Sequence, residues 1–104
     1  SSMGGLISCY AFFREPHAFG GCGIMSPALW FGRKAIFPFV EAATFAPGRI
    51  WLDVGTGEGV RTVANVRLLR DLLRRKGYVE APGGTLRTVV AAGARHEEAA
   101  WGRR

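Results

Sequence analysis

Three short apolar runs, separated by segments with helical spacing, constrain the fold more than any other feature of the sequence. Each run has the length of a buried strand and is bounded by glycine or proline on at least one side: Gly21–Met25, Arg49–Val54 and Leu86–Ala92. Segments predicted to be helical lie before, between and after these runs: 3–13, 35–43, 60–76 and from 97 onward. This alternation predicts an α/β fold, in which parallel strands alternate with helices on both faces of the sheet.

The segment from Val60 to Lys76 is the clearest helix. Its apolar residues recur at three- and four-residue intervals, at Val60, Val63, Val66, Leu69, Leu72 and Leu73. Basic residues occupy its other side, so the helix is amphipathic and is expected to bury its apolar stripe. Gly77 follows directly, and glycine is the residue that most often ends a helix.

Polar or glycine-rich stretches follow each predicted strand. They are Ser26, the turn Gly55–Gly59 and the stretch Gly93–His96. Right-handed crossovers place the ends of consecutive parallel strands at one edge of the sheet. Because ligands bind at that edge in open α/β sheets, we expect a functional site where these stretches meet.

Length and charge limit the classes of function. The chain has 104 residues, 48% of them apolar, and a formal net charge of +6, which fits at most one folded domain. Much of the excess positive charge lies at Arg67, Arg70, Arg74, Arg75, Lys76, Arg103 and Arg104. No aromatic residues alternate with these side chains to stack on bases, so we interpret them as solvated helix surface and predict no nucleic-acid partner. No apolar run has the length of a membrane span, so no membrane partner is predicted.

The two cysteines, Cys9 and Cys22, do not have the spacing of metal ligands. Both lie in apolar surroundings, which favours buried free thiols, with a disulfide as the alternative. The sequence therefore predicts no metal site.

The stretch "IWLDVGTGEGV", Ile50 to Val60, has two interpretations. A strand followed by an acidic residue and G-x-G-x-G resembles the cofactor loop of S-adenosylmethionine-dependent methyltransferases, where glycines let the backbone approach a ligand. Such folds also need an acidic residue after the next strand, and Glu80 instead precedes the strand. In the other interpretation the turn presents a catalytic carboxylate, with Glu58 and Asp53 as the candidates.

The start of the chain favours a serine nucleophile. Ser1-Ser2-Met3-Gly4 fits the last four positions of G-x-S-x-G, the strained turn that exposes a nucleophilic serine before a helix. Ser2 would carry the nucleophile, and Gly4 with Gly5 would supply the room that the turn needs. The backbone N–H of Met3 would donate to the oxyanion. The alternative is that Ser2 is an ordinary helix cap.

A histidine follows the last predicted strand. In "AAGARHEEAAW", Ala91 to Trp101, glycine makes a turn and His96 stands just before a helix. The chain order Ser2, Glu58, His96 is the order serine, acid, histidine of α/β-hydrolases. His96 is therefore the candidate general base, whereas His17, beside Pro16 in a predicted loop, is expected to be a surface residue.

Four motifs in order carry a family resemblance. "SSMGG", "SPALWF", "DVGTGE" and "GARHEEAAW" resemble an esterase family of the α/β-hydrolases. That family includes enterochelin esterases, feruloyl esterase domains, S-formylglutathione hydrolases and mycolyltransferases. In it the acid follows a G-T-x-[DE] turn, which implies Glu58 rather than Asp53. The histidine precedes an acidic residue and a tryptophan, matching His96, Glu97 and Trp101.

The resemblance implies a function and a domain organisation. It implies hydrolysis of a small-molecule carboxylic ester through an acyl-enzyme, with no cofactor, and transfer of the acyl group to another acceptor is an alternative. Trp30 and Phe31 would line the substrate pocket, although plain packing is as good an interpretation. Family members are about twice as long as this chain. We therefore expect residues 1–104 to be the C-terminal half of one α/β-hydrolase domain, and to be inactive and prone to aggregate on their own.

Overall fold

The computed structural model describes all 104 residues, from Ser1 to Arg104. Its elements are α1 (Met3–Arg14), β1 (Gly21–Met25), α2 (Phe31–Lys34), α3 (Ile36–Ala42), β2 (Arg49–Gly55), a 3₁₀ turn (Thr56–Glu58), α4 (Val60–Lys76), β3 (Leu86–Ala91) and α5 (Glu98–Gly102). The strands form one parallel sheet in the order β1-β2-β3. Leu52 in the central strand pairs with Ile24 on one side and with Thr88 on the other. The predicted α/β fold with parallel strands is therefore confirmed.

The apolar core lies on one face of the sheet. Ile50, Leu52 and Val54 share that face because side chains alternate along a strand, and all three are buried. The helices that cover them contribute most of the rest of the core: Leu6, Cys9, Phe12 and Phe13 from α1, Ile36 and Val40 from α3, and Val63, Val66, Leu69, Leu72 and Leu73 from α4. Each fully buried side chain of this size stabilises the fold by about 1.5–3 kcal/mol relative to an exposed one.

The opposite face of β2 meets the C-terminal residues. Trp51 and Asp53 lie on this face by the same alternation. The Arg104 guanidinium, just after α5, contacts Asp53, and Trp101 of α5 contacts Ser26 at the end of β1. The carboxyl edge of the sheet is therefore enclosed by the last residues of the chain.

The amphipathic helix α4 has the predicted bounds and the predicted stop. Gly77 adopts φ 118°, in the left-handed region, and its N–H bonds back to the last turn. Five of the six predicted apolar positions are buried. Val60 is the exception, with 87% of its surface exposed, and the prediction that it joins the core is wrong. It is the first residue of the helix.

The segment between β1 and α3 contains only the short helix α2. Within α2 the residues Gly32, Arg33 and Lys34 all have φ near +60°, which interrupts the helix. The helix predicted for 35–43 is confirmed over Ile36–Ala42. None of the helices is both long and apolar enough to cross a bilayer.

Both cysteines are free, and Cys9 is buried. Burial raises the pKa of Cys22 to about 12, and it raises the pKa of Cys9 as well, with Cys22 adding to that effect. The two thiols are therefore protonated and unreactive at neutral pH.

Candidate active site

Ser2, the candidate nucleophile, has an unusual backbone conformation. It lies immediately before α1 with φ 53° and ψ −119°, in a region that a non-glycine residue occupies only when its surroundings force it. Its N–H donates to the Met25 carbonyl at 3.1 Å, and its own carbonyl accepts the Ala28 N–H at 3.1 Å. These bonds fix Ser2 beside the carboxyl end of β1. Its hydroxyl makes no capping hydrogen bond, so the interpretation of Ser2 as an ordinary helix cap is not supported.

The N–H of Met3 is the predicted oxyanion donor. Met3 is the first residue of α1, where backbone N–H groups have no acceptor within the helix. Neither the backbone nor a side chain of this chain accepts a hydrogen bond from it. The group is therefore available beside Ser2, at the positive end of the helix dipole.

The room at the elbow comes from Gly5 rather than from both glycines. A Cβ added at Gly5 would lie 2.6 Å from the Met25 carbonyl oxygen and 3.2 Å from Pro27 Cα. A Cβ added at Gly4 would meet nothing within 4 Å. The prediction that Gly4 also supplies room is therefore wrong for the residues described here. Gly5 lets α1 pack directly on the strand end that holds Ser2.

This difference yields a matched pair of variants. Gly5→Ala is expected to lower the free energy of unfolding by about 1–3 kcal/mol, because the new methyl group is forced against backbone. Gly4→Ala is expected to lower stability less than Gly5→Ala does, since its methyl group meets none of these 104 residues and alanine is the better helix former by about 0.5–1 kcal/mol. Urea unfolding of both variants in the full-length protein measures the two values. Equal stabilities would contradict the close approach at Gly5.

Glu58 and His96 form a hydrogen-bonded pair. Oε1 of Glu58 lies 2.7 Å from Nδ1 of His96. The Glu58 side chain is 1% exposed and the His96 side chain is 45% exposed, so the pair runs from the interior to the surface. An ionised carboxylate only accepts hydrogen bonds, so Nδ1 carries the proton. In the neutral ring Nε2 then keeps its lone pair, which is the form a general base requires.

The second oxygen of Glu58 is also fully used. Oε2 accepts the Ser26 hydroxyl at 2.6 Å and the Gly55 N–H at 2.7 Å. Burial by itself raises the pKa of Glu58, but the hydrogen bonds from Ser26, His96 and Gly55 outweigh it. The net effect lowers the pKa of Glu58 below its ordinary value of 4.5. Glu58 is therefore ionised at neutral pH.

The glycines after β2 accommodate the histidine loop. Gly57 N–H donates to the Ala94 carbonyl at 2.8 Å, and Gly93 N–H donates to the Thr56 hydroxyl at 2.7 Å. A Cβ at Gly55 or at Gly57 would collide with the same Ala94 carbonyl. Protein backbone thus occupies the space that a cofactor would need over this turn. The methyltransferase interpretation is not supported, and Glu80 instead accepts a hydrogen bond from Thr88.

Asp53 shares the neighbours Ser26 and Arg104 with Glu58. Its Oδ1 accepts from Arg104 at 3.0 Å and from the Ser26 N–H at 3.2 Å, and its Oδ2 accepts from Trp51 Nε1 at 2.8 Å. Asp53 is completely buried and the Arg104 side chain is 5% exposed. No hydrogen bond joins Asp53 to His96, whereas Glu58 has one. Geometry therefore favours Glu58 over Asp53 as the partner of the imidazole.

Ser2 and His96 line one cleft at the carboxyl edge of the sheet. Its volume is about 290 Å³, and Ser26, Pro27, Ala28, Trp30, Glu58 and Thr62 complete the lining. No hydrogen bond joins Ser2 to His96, and such bonds often form only with substrate in place. Trp30, 63% exposed, stands at this cleft, whereas Phe31 lines a separate apolar groove with Met3, Ile7 and Tyr10. The cleft thus places a candidate nucleophile, base and acid together.

Three contacts of this site were not predicted from the sequence. They are the Ser26 bond to Glu58 and the bonds that Trp101 and Arg104 donate to the Ser26 hydroxyl. The position of Ser26 at a strand end was the available signal. His17 is exposed, and no three His, Cys, Asp or Glu side chains cluster as metal ligands.

Comparisons with known proteins identify the fold. No family model matches the chain. Over 87 residues it is 25% identical to the uncharacterized protein YbbA of Bacillus subtilis, a match that spans 77% of this chain and 35% of YbbA. Siderophore hydrolase EstB from Aspergillus nidulans superposes with a TM-score of 0.78 and 19% identity over 98% of this chain and 44% of its own. BES protein from Bacillus cereus superposes with a TM-score of 0.68 and 23% identity over 94% of this chain and 38% of its own. The chain has the α/β fold of the two solved structures, and it spans less than half the length of all three proteins.

Proposed function

We propose that this chain carries the catalytic residues of a serine hydrolase that cleaves carboxylic esters. Ser2 is the nucleophile, His96 the general base and Glu58 the acid that orients the imidazole. The observation that carries the proposal is the single cleft that Ser2, in its left-handed backbone, shares with the hydrogen-bonded His96–Glu58 pair. The fold shared with a protein named as a siderophore hydrolase is further support for a hydrolytic reaction.

The first half of the reaction forms an acyl-enzyme. His96 Nε2 removes the proton from Ser2 Oγ as that oxygen attacks the ester carbonyl. The negative charge that develops on the carbonyl oxygen is stabilised by the Met3 N–H. The imidazolium then gives its proton to the departing alcohol, and Ser2 remains acylated. Throughout, ionised Glu58 holds Nδ1–H and stabilises the positive ring.

The second half of the reaction releases the acid. His96 takes a proton from water, the hydroxide attacks the acyl group, and Ser2 Oγ recovers the proton from the imidazolium. In this proposal a second oxyanion donor and the rest of the α/β-hydrolase domain come from residues outside these 104, and the greater length of the similar proteins supports that part of the proposal. The side chain of Trp30 forms part of the substrate wall.

Covalent labelling tests the nucleophile. The full-length protein is treated with a biotinylated fluorophosphonate, which phosphonylates activated serines, and the modified peptide is located by mass spectrometry. We expect the label on Ser2, its loss in Ser2→Ala, and its retention in the matched neighbour variant Ser1→Ala. Label on a different serine, or an unlabelled protein that still hydrolyses esters, would overturn the assignment of Ser2.

A further inference from the structure

Ser26 occupies a buried position between three parts of the site. It follows β1 directly and is 1% exposed. Its hydroxyl lies 2.6 Å from Glu58 Oε2, 3.0 Å from Trp101 Nε1 and 2.7 Å from Arg104 Nη2. The proposed roles of Ser2, His96 and Glu58 assign it no part.

The direction of the Ser26 hydroxyl proton follows from these three contacts. A hydroxyl has one proton to donate and two lone pairs that accept. Trp101 Nε1–H and the Arg104 guanidinium are donors only, so they occupy both lone pairs. The single O–H must therefore point to Glu58 Oε2. No other direction of the O–H preserves all three of these contacts.

The two oxygens of the Glu58 carboxylate have different partners, and the Ser26 proton is one of them. Oε2 is held by the Ser26 hydroxyl and by the Gly55 N–H, while Oε1 faces His96. Because two donors bind Oε2, rotation of the carboxylate would break the hydrogen bonds from both Ser26 and Gly55. Trp101 also packs its ring edge-to-face against the imidazole, with centroids 4.8 Å apart. The same tryptophan therefore contacts the histidine and orients the serine.

The backbone of Ser26 is held in a conformation that favours glycine. Its φ is 41°, and its N–H donates to the Asp53 carbonyl at 2.9 Å and to Asp53 Oδ1 at 3.2 Å. A strained residue persists only where its surroundings over-determine it, and such residues cluster at functional sites. Glycine would fit this backbone without strain but could not supply a hydroxyl.

We propose that Ser26 is a positioning residue for the hydrolase reaction, whose hydroxyl locks the Glu58 carboxylate so that Oε1 stays on His96. The inference rests on the proposed function of Ser2, His96 and Glu58. Hydrogen bonds to charged groups are about twice as strong as neutral ones. Loss of one such bond in a pre-organised site corresponds to about a 10- to 100-fold change in rate.

The test compares Ser26→Ala, Ser26→Gly and Trp101→Phe in the full-length protein, with Ser8→Ala as the control for loss of a serine hydroxyl elsewhere. We expect both Ser26 variants to lower kcat about 10- to 100-fold with KM unchanged. Their pH–rate profiles should lose activity at a higher pH on the acid side, because Glu58 without this donor takes up a proton more readily. Trp101→Phe keeps an aromatic ring beside the imidazole but loses the N–H, and the part of its effect that comes from the N–H should disappear in the Ser26→Ala background. Ser8→Ala should match the wild type.

A second readout does not depend on turnover. The low-field proton resonance of His96 Nδ1–H in the ¹⁵N-labelled protein should shift or broaden in Ser26→Ala and Ser26→Gly. Wild-type kcat and an unchanged resonance in Ser26→Gly would overturn the positioning role, and so would a rate loss confined to Ser26→Ala. If the wild type hydrolyses no ester while the resonance still moves, the proposed function fails and the Ser26 contact stands.

Discussion

Replacing His96 with alanine is expected to lower kcat for ester hydrolysis by about 10⁴- to 10⁶-fold. Members of a triad act as a unit, so the loss of the base removes almost all of their joint contribution. Only the oxyanion donor and substrate binding remain, which sustain a small residual rate. The measurement is steady-state hydrolysis of an activated ester such as p-nitrophenyl acetate by the full-length protein.

The chain supplies its own control for this prediction. It has two histidines, and His17 is exposed in the loop after α1, outside the cleft. His17→Ala should therefore keep wild-type kcat and KM. A loss of less than tenfold in His96→Ala, or equal losses in both variants, would rule out His96 as the base. Circular dichroism of both variants checks that each is folded.

Glu58→Gln is expected to lower kcat by about 10³- to 10⁴-fold. It should lower the free energy of unfolding less than the second carboxylate variant, Asp53→Asn, does. The glutamine amide would no longer hold the Nδ1–H tautomer or stabilise the imidazolium, which is the way that amide substitution of a triad acid acts. The pH dependence has a defined sign as well. Since the pKa of Glu58 is lowered by folding, its contribution to stability is present above pH 4.5 and is lost as the pH falls through the lower folded pKa.

Asp53→Asn should show the opposite balance. Asp53 is buried and paired with Arg104 at 3.0 Å, so the neutral amide leaves the buried guanidinium with only the more distant Glu58 carboxylate, 3.8 Å away, as a counter-charge. Breaking such a pair costs about 3–5 kcal/mol of stability. At temperatures where this variant is folded, kcat should stay within about tenfold of the wild type. A 10³- to 10⁴-fold loss of kcat in Asp53→Asn, together with wild-type kcat in Glu58→Gln, would show that Asp53 and not Glu58 is the acid.

Local pattern was sufficient to predict the helices, the strands and the type of sheet. The three-and-four spacing of Val63, Val66 and Leu69 predicted α4, because burial on one side of a helix imposes that period. The short apolar runs predicted the three strands, but only β2 is largely buried, whereas β1 and β3 each bury a single residue. Val60 continues the helical period but is exposed at the first position of the helix. The spacing of apolar residues does not show which positions of a helix contact the core.

The site was predicted in part for a topological reason. Consecutive parallel strands end at one edge, so residues that directly follow them, Ser26, Glu58 and His96, had to lie near one another. Chain order alone could not choose between Asp53 and Glu58, which are five residues apart. That choice depends on side-chain direction: Asp53 lies within β2 and meets Arg104, and Glu58 lies on the turn and meets His96.

The sequence by itself thus determined the α/β fold, the parallel sheet and the edge of the sheet at which polar groups lie. These features follow from the spacing of apolar residues and from the alternation of strands and helices, which can both be read from residues that are neighbours in the chain. Only the tertiary structure decided which carboxylate meets the imidazole, that the glycines after β2 admit the Ala94 carbonyl, and that Ser26 is enclosed by Glu58, Trp101 and Arg104. Those contacts join residues up to 78 positions apart. Local sequence preferences cannot predict contacts between residues so far apart, because those contacts depend on how all the elements pack at this edge of the sheet.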